Sequence, residues 1–226
     1  MLSISETAGW REAHPGATIG LLELSGVDTT GPSAGLDNRK REAERRLRSA
    51  HQSFTRQDFL SLPVIAAYDR YYTRFRKTYH VLLQVESIVL KGKSLPRISP
   101  LVDSNFAAEV ETFVLTAGHD ADKLRGPIVL DVSRDGESLT QMNGTSRALY
   151  AGDMIMRDAD GVSCSIIYGQ DDRSAISEGT THALYVAYAP AGVPVEAVES
   201  QLQGIEANVR SFCPGVVVEQ RRLVRA

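Results

Sequence analysis

The segment from Ile98 to Ser133 holds the residues of this sequence whose types and spacing are best suited to chemistry. It gathers Asp103, Asn105, His119 and Asp120 around two apolar runs. An asparagine here can order a water or a substrate carbonyl, and a histidine in a polar turn can belong to a functional loop. Structural roles are equally open: we favour Asp103 as a helix N-cap, and turn-forming residues are expected after a helix in any case. Asn105 and His119 are our catalytic candidates.

A second candidate group follows a strand-like run later in the chain. Tyr168, Gln170, Asp172 and Arg173 end that run and form our predicted pocket rim. Glu137 follows a turn and Thr180 enters a strand, so each also has an ordinary structural explanation. The predicted substrate-binding residues are Asp103, Asp120, Glu137, Tyr168, Gln170, Asp172, Arg173 and Thr180.

Motifs of several familiar enzyme classes are missing. The chain has no phosphate-binding GxxxxGK[ST], no dinucleotide fingerprint, no HExxH and no GxSxG. Its five histidines and two cysteines never take a metal-ligand spacing. We therefore expect no metal, no cofactor and no bound nucleotide, and we interpret both cysteines as buried small side chains.

The charge is unevenly distributed, although the net charge is only −3. Residues 39–97 carry 14 Lys and Arg against 5 Asp and Glu. Such asymmetry is typical of a side that faces a polyanion, but a solvated basic helix face would explain it equally well. The candidates for contact with RNA are Arg74, Arg76, Lys77, Lys91, Lys93 and Arg97.

The order of elements predicts an α+β or mixed α/β fold with a mixed sheet core and packed helices. Residues 1–80 contain a strand at 17–27 and basic helices. Residues 81–226 contain two more helices, a polar turn at 117–126, four strands and a final helix at 194–212. We expect one domain over 1–226. No run is long enough to span a membrane and no leader is evident, which together predict a cytoplasmic protein.

An aromatic stripe lies in the second of the basic helices. Tyr68, Tyr71, Tyr72 and Phe75 fall at i, i+3, i+4 and i+7. We interpret the stripe as facing the core. A base-stacking platform or a protein interface remains the alternative.

A series of short motifs resembles the B3/B4 domain of the bacterial phenylalanyl-tRNA synthetase beta subunit, and free-standing B3/4-domain proteins still more. In chain order they are Glu86, PLVDxN at 100–105, DxDKL at 120–124, GES at 136–138, GD at 152–153, DxDG at 158–161 and TxHA at 180–183. The resemblance covers roughly residues 17–209. It implies a B3/B4-like fold, and it implies that the chain lacks the parts an amino-acid ligase needs.

In the synthetase this domain hydrolyses tyrosine wrongly esterified to tRNA. The resemblance therefore implies a deacylase that acts in trans on a mischarged tRNA, with a positioned water and no cofactor. The editing histidine of the family falls near Ala117 here, two residues from His119, and Tyr168 and Gln170 replace residues of the amino-acid pocket. The substrate is accordingly expected to differ from tyrosine. The alternatives are a non-catalytic module that binds RNA, an amino acid or a nucleoside, and a protein-interaction adaptor.

Overall fold

The computed structural model describes residues 1–226 and confirms the predicted α+β fold. The helices are α1 (Ala8–Ala13), α2 (Ala34–Ala50), α3 (Arg56–Ser61), α4 (Pro63–Thr73), α5 (His80–Val89), α6 (Pro100–Thr112) and α7 (Val195–Arg210). The strands are β1 (Ile4–Glu6), β2 (Thr18–Ser25), β3 (Thr116–Asp120), β4 (Ile128–Val132), β5 (Ser138–Thr140), β6 (Ser146–Ala148), β7 (Met154–Asp158), β8 (Gly161–Ser165), β9 (Gly169–Gln170), β10 (Ala183–Ala189) and β11 (Val217–Arg225). None of the helices could cross a bilayer.

The first sheet is antiparallel, in the order β11-β2-β10-β3. All seven residues of β10 are buried, as expected for a strand covered on both faces. Helix α7 packs on this sheet through the predicted apolar face, which includes Val198 and Leu202. A Cβ on Gly20 would lie 2.7 Å from Cγ1 of Val198, so the glycine permits the close approach of helix and strand.

The second sheet has the order β1-β4-β7-β8-β9. Strands β1 and β4 are parallel, whereas the remaining neighbours are antiparallel. The predicted hairpin over residues 153–169 is confirmed as β7 and β8. A separate ribbon of β5 and β6 carries a turn at residues 141–145 that reaches over the end of this sheet.

The aromatic stripe of α4 is core, as predicted. None of its four side chains is more than 7% exposed: Tyr68, Tyr71, Tyr72 and Phe75. Tyr68 stacks on Tyr79 with ring centroids 4.2 Å apart. A buried stripe cannot serve as a docking surface, so the adaptor hypothesis built on it is wrong.

Two local predictions were incorrect. Residues 116–120 form β3, which pairs with β10, where the sequence suggested only a polar turn. Asp103 is not the N-cap of α6, because the side chain of Ser99 accepts the hydrogen bond from the Val102 amide and Asp103 lies inside the first turn. Residues 116–120 include polar side chains that are untypical of a buried strand, so the strand was missed. Pro100 is favoured at the first helical position, which makes Ser99 the N-cap.

Candidate functional site

The main cavity lies where the two sheets approach each other. It has a volume of about 410 Å³, within the range of small-molecule sites. Helix α6 supplies Phe106 and Glu109, and the first sheet supplies Thr116 and Tyr188. His80 at the start of α5, Leu115 and Ala117 also line it. The rest of the wall comes from the region of β8 and β9 and from the turn between β5 and β6: Gln141, Met142, Asn143, Cys164, Ser165, Ile166, Tyr168, Gly169 and Gln170.

Glu109 is the ionisable group at the base of this cavity. Its side chain is only 2% exposed, and its Oε1 accepts a hydrogen bond of 2.8 Å from the Thr116 amide. No basic side chain pairs with it. Burial raises the pKa of Glu109 to about 8, opposed by hydrogen bonds from Thr116 and Asn105. A carboxyl with a pKa near the working pH can hold or accept a proton, which is the property a general acid or base needs.

The other reactive side chains of the cavity cannot act as nucleophiles. Burial raises the pKa of the Cys164 thiol to about 12, so the thiolate is scarce at neutral pH. The hydroxyl of Ser165 donates to Oδ2 of Asp153 at 2.5 Å. The buried hydroxyl of Tyr188 has no hydrogen-bond partner. The cavity therefore offers the carboxyl of Glu109, the free hydroxyl of Tyr188 and the imidazole of His80, whose pKa is lowered by burial. None of its hydroxyl or thiol groups is paired with a base as a nucleophile would be.

The mouth of the cavity carries aromatic rings and a cation. Tyr150 and Tyr168 stack with centroids 5.7 Å apart, and Nζ of Lys77 lies 5.5 Å from the ring of Tyr168. The side-chain amide of Gln141 donates to the Tyr168 carbonyl at 2.8 Å and so ties the β5–β6 turn to the rim. Such a platform is suited to a stacked base with a phosphate beside it.

Helix α4 positions the cavity wall through the hydroxyls of its tyrosines. Tyr68 donates to the Tyr188 carbonyl at 2.6 Å, and Tyr72 donates to the Ile166 carbonyl at 2.7 Å. Tyr71 donates to Asp153 at 2.6 Å. Three tyrosines within about one helical turn thus fix two points of the wall, Tyr188 and Ile166, and hold Asp153, which accepts from Ser165 of the wall. This is why the stripe consists mainly of tyrosine.

The two predicted catalytic residues lie behind the cavity wall. Asn105 is 6% exposed; it donates to the Thr116 carbonyl at 2.8 Å and accepts from Gln201 at 3.1 Å. His119 is fully buried, and its Nδ1 lies 2.7 Å from the Ser174 hydroxyl. Burial lowers the pKa of His119 to about 4. Neither side chain lines the cavity.

The predicted substrate-binding residues separate into two groups. Tyr168 and Gln170 line the cavity. The others make contacts elsewhere: Asp103 pairs with Lys40 at 2.6 Å, Asp120 accepts from Thr180 at 2.8 Å, Glu137 pairs with Arg157 at 2.9 Å, Arg173 pairs with Asp171 at 2.8 Å, and the Asp172 amide donates to the Thr140 carbonyl at 3.1 Å.

The predicted RNA-binding residues also differ in their surroundings. Arg97 pairs with Asp37. Arg74, Arg76, Lys77, Lys91 and Lys93 are exposed and make no ion pair. Much of the remaining positive charge of residues 39–97 is neutralised, for example Arg46 by Glu111 and Arg56 by Glu86. Three of these unpaired cations, Arg74, Arg76 and Lys77, directly follow α4, with Lys77 beside the cavity mouth, whereas Lys91 and Lys93 follow α5.

Glu109 and Asp153 were not among the predicted site residues. Glu109 sits in a helix that is apolar on most sides, with Ala107, Ala108 and Val110 around it, and that pattern was the available signal of burial. Asp153 was noted only as part of a motif. No group of three or more His, Cys, Asp or Glu side chains is arranged to hold a metal ion.

Fold and cavity together define an α+β domain built around a ligand-sized cavity. The model of the B3/4 domain family matches residues 67–210, and the chain belongs to that family. It is accordingly a tRNA-synthetase-related domain, as the resemblance predicted.

Among solved structures, the chain is similar to an N-terminal fragment of the phenylalanyl-tRNA synthetase beta subunit from Pyrococcus horikoshii. The two share 9% sequence identity with a TM-score of 0.49, and the match covers 100% of this chain and 55% of the fragment. The chain thus spans about half of that fragment's length. No curated protein matches the chain.

Proposed function

We propose that the main cavity receives the aminoacyl group of a mischarged tRNA and that the protein hydrolyses the ester in trans. The observation that carries this proposal is Glu109, a buried carboxyl without a cation, at the base of a cavity whose mouth carries stacked tyrosines and Lys77. The family relationship supplies the context of the tRNA synthetase.

The chemistry proposed requires no covalent intermediate. An aminoacyl ester is an activated acyl group, so a positioned water and donors for the developing oxyanion are sufficient. Glu109 in its ionised form accepts a proton from that water as the water attacks the ester carbonyl. The proton is then available to the leaving ribose oxygen. The free hydroxyl of Tyr188 is the candidate donor to the oxyanion or to a polar atom of the substrate.

Asn105 has a positioning role in this proposal. It bonds to the carbonyl of Thr116, the residue whose amide holds Glu109, and Gln201 bridges Asn105 to the Thr116 hydroxyl. Replacing it would shift the base of the cavity and leave buried polar atoms unpaired. His119 lies outside the cavity, so the proposed chemistry passes through Glu109.

The mouth of the cavity suits the 3′ end of the tRNA. The terminal base stacks on the Tyr150 and Tyr168 pair, and Arg74, Arg76 and Lys77 face the phosphates that follow. Gln170 at the rim is the candidate contact for the terminal ribose or the amino group. This arrangement would place the ester above Glu109.

A deacylation panel tests the proposal. One acceptor minihelix is esterified in turn with each amino acid, incubated with the protein, and followed for hydrolysis, with a salt titration and Asn105→Ala as a comparison. Hydrolysis of one or two esters, weakened by salt and by the substitution, is expected. Time courses equal to the spontaneous rate for every ester would contradict deacylation.

A non-catalytic binding module is the second candidate. It is favoured by one observation, that the cavity lacks a paired nucleophile and base while Asn105 and His119 are engaged in structural hydrogen bonds. A ligand at 100 times its dissociation constant adds about 2.7 kcal/mol to stability. Thermal stabilisation by an amino acid or nucleoside, together with a flat panel, would select this candidate.

A further inference from the structure

A second, smaller cavity is lined in part by Tyr71, which does not line the main one. It has a volume of about 200 Å³, and its wall includes His14, Arg70, Tyr71 and Arg74. The space is smaller than a typical site for a drug-sized ligand. It suits a compact group of a few atoms.

The polar groups of this cavity have no partner within the protein. Arg70 of α4 and Arg74, the C-cap residue of that helix, lie one turn apart; both are exposed and neither makes an ion pair with an acidic side chain. Like charges at this spacing destabilise a helix unless an anion lies between them. His14 is only 5% exposed, and its imidazole makes no hydrogen bond, with Nε2 fully shielded.

The surroundings hold both arginines near the cavity. The guanidinium of Arg74 lies 5.3 Å from the Tyr71 ring centre. Gly192 has a φ of +98°, and Nη2 of Arg70 lies 2.6 Å from the position that a Cβ on this residue would take, so the guanidinium rests close to the Gly192 backbone. The imidazole of His14 is the buried group without a partner, and a buried polar group is unfavourable unless a ligand or water satisfies it.

We propose that this cavity, which we call the arginine cavity (His14, Arg70 and Arg74), is a binding site for a phosphoryl group. Two guanidinium groups match the oxygens of a phosphate, and the neutral imidazole contributes one N–H. The same chemistry would come from a phosphodiester of RNA or from a small phosphate ester. The proposal involves neither Glu109 nor the main cavity and shares only Arg74 with the proposed tRNA path, so phosphate binding at His14 is tested separately from deacylation.

Inorganic phosphate is the first probe, titrated into the full chain at constant ionic strength against potassium chloride. The imidazole resonances of His14 report binding directly in the unmodified protein. A saturable shift of these resonances is expected. Burial and the charge of Arg74 lower the pKa of His14 to about 4 in the free protein. A bound anion opposes both effects, so the pKa of His14 should rise on binding.

Arg70→Gln is the test variant and Arg41→Gln, an exposed arginine on α2, is its matched control. Affinity for phosphate should fall at least fivefold in the first and stay unchanged in the second. No saturable shift at His14 in the unmodified protein, or equal affinity in Arg70→Gln and the unmodified protein, would overturn the proposal.

A second arm identifies the source of the phosphoryl group. The affinity for tRNA is measured with and without saturating phosphate and with Arg70→Gln. Competition by phosphate together with a severalfold loss of tRNA affinity in Arg70→Gln supports the site and assigns it to RNA. Phosphate binding with unchanged tRNA affinity supports the site and assigns it to a small phosphate ester.

Discussion

Helix α6 buries one carboxylate near its start, Asp103, and another near its end, Glu109. Asp103 pairs with Lys40 at 2.6 Å and accepts the Ile98 amide at 3.0 Å. Glu109 has an amide partner and no cation, and it faces the main cavity. A buried carboxylate whose charge is neutralised holds the structure together, whereas one left without a cation keeps a proton available for chemistry.

The first prediction concerns the ion pair between Lys40 and Asp103 near the start of α6. Lys40→Met leaves the charge of Asp103 buried without a partner, and we expect a loss of about 3–5 kcal/mol in the free energy of unfolding. Urea denaturation measures this loss, with the exposed Lys91→Met as control. Adding Asp103→Leu to Lys40→Met should restore much of the stability. A loss below about 1 kcal/mol for Lys40→Met would mean that the pair is not a structural link.

The second prediction concerns Glu109, near the end of α6, and its effect on the pH dependence of the protein's stability. The pKa of Glu109 is raised from 4.5 to about 8 in the folded protein. Between these values the unfolded chain has lost the proton that the folded protein keeps. Stability therefore falls as pH rises through this window, by at most about 1.4 kcal/mol per pH unit.

Glu109→Gln should flatten that part of the stability profile. Asp153, whose pKa burial raises to about 6, adds a fall of the same sign at lower pH in both proteins. The difference between the two urea profiles from pH 5 to 8 thus isolates Glu109. Parallel profiles would show that Glu109 is ionised normally in the folded protein.

The third and smallest predicted effect is at the cavity mouth. If Lys77 contacts one phosphate of the bound tRNA, Lys77→Gln reduces the slope of log affinity against log salt by about 1. Fluorescence anisotropy at several salt concentrations measures the slope. Arg41→Gln should leave it unchanged, and an unchanged slope in Lys77→Gln would remove Lys77 from the proposed path.

The sequence predicted those parts of the fold that follow from periodicity. The stripe from Tyr68 to Phe75 and the apolar face of α7 were both correctly assigned, because the spacing of large side chains on a helix determines which face is buried. Strand β3 could not be predicted in this way. Gly118 and the polar residues that follow it acquire strand geometry only from pairing with β10.

The site was harder to predict than the fold, for the same reason. Asn105 and His119 have the side chains of catalytic residues, but long-range contacts with Thr116 and Ser174 place both behind the cavity wall. The apolar neighbours of Glu109 in the sequence indicate burial but not a functional role. Its importance depends on the absence of a nearby cation, which is a property of the folded structure alone.

The most direct test of the account compares two carboxylates of α6 in the deacylation assay. Glu109→Gln should lower the single-turnover rate on the preferred ester by about 100-fold or more, as expected for loss of a general base. Glu111→Gln, two residues away and paired with Arg46 outside the main cavity, should retain the rate of the unmodified protein. Equal rates for Glu109→Gln and the unmodified protein would contradict the central role of Glu109.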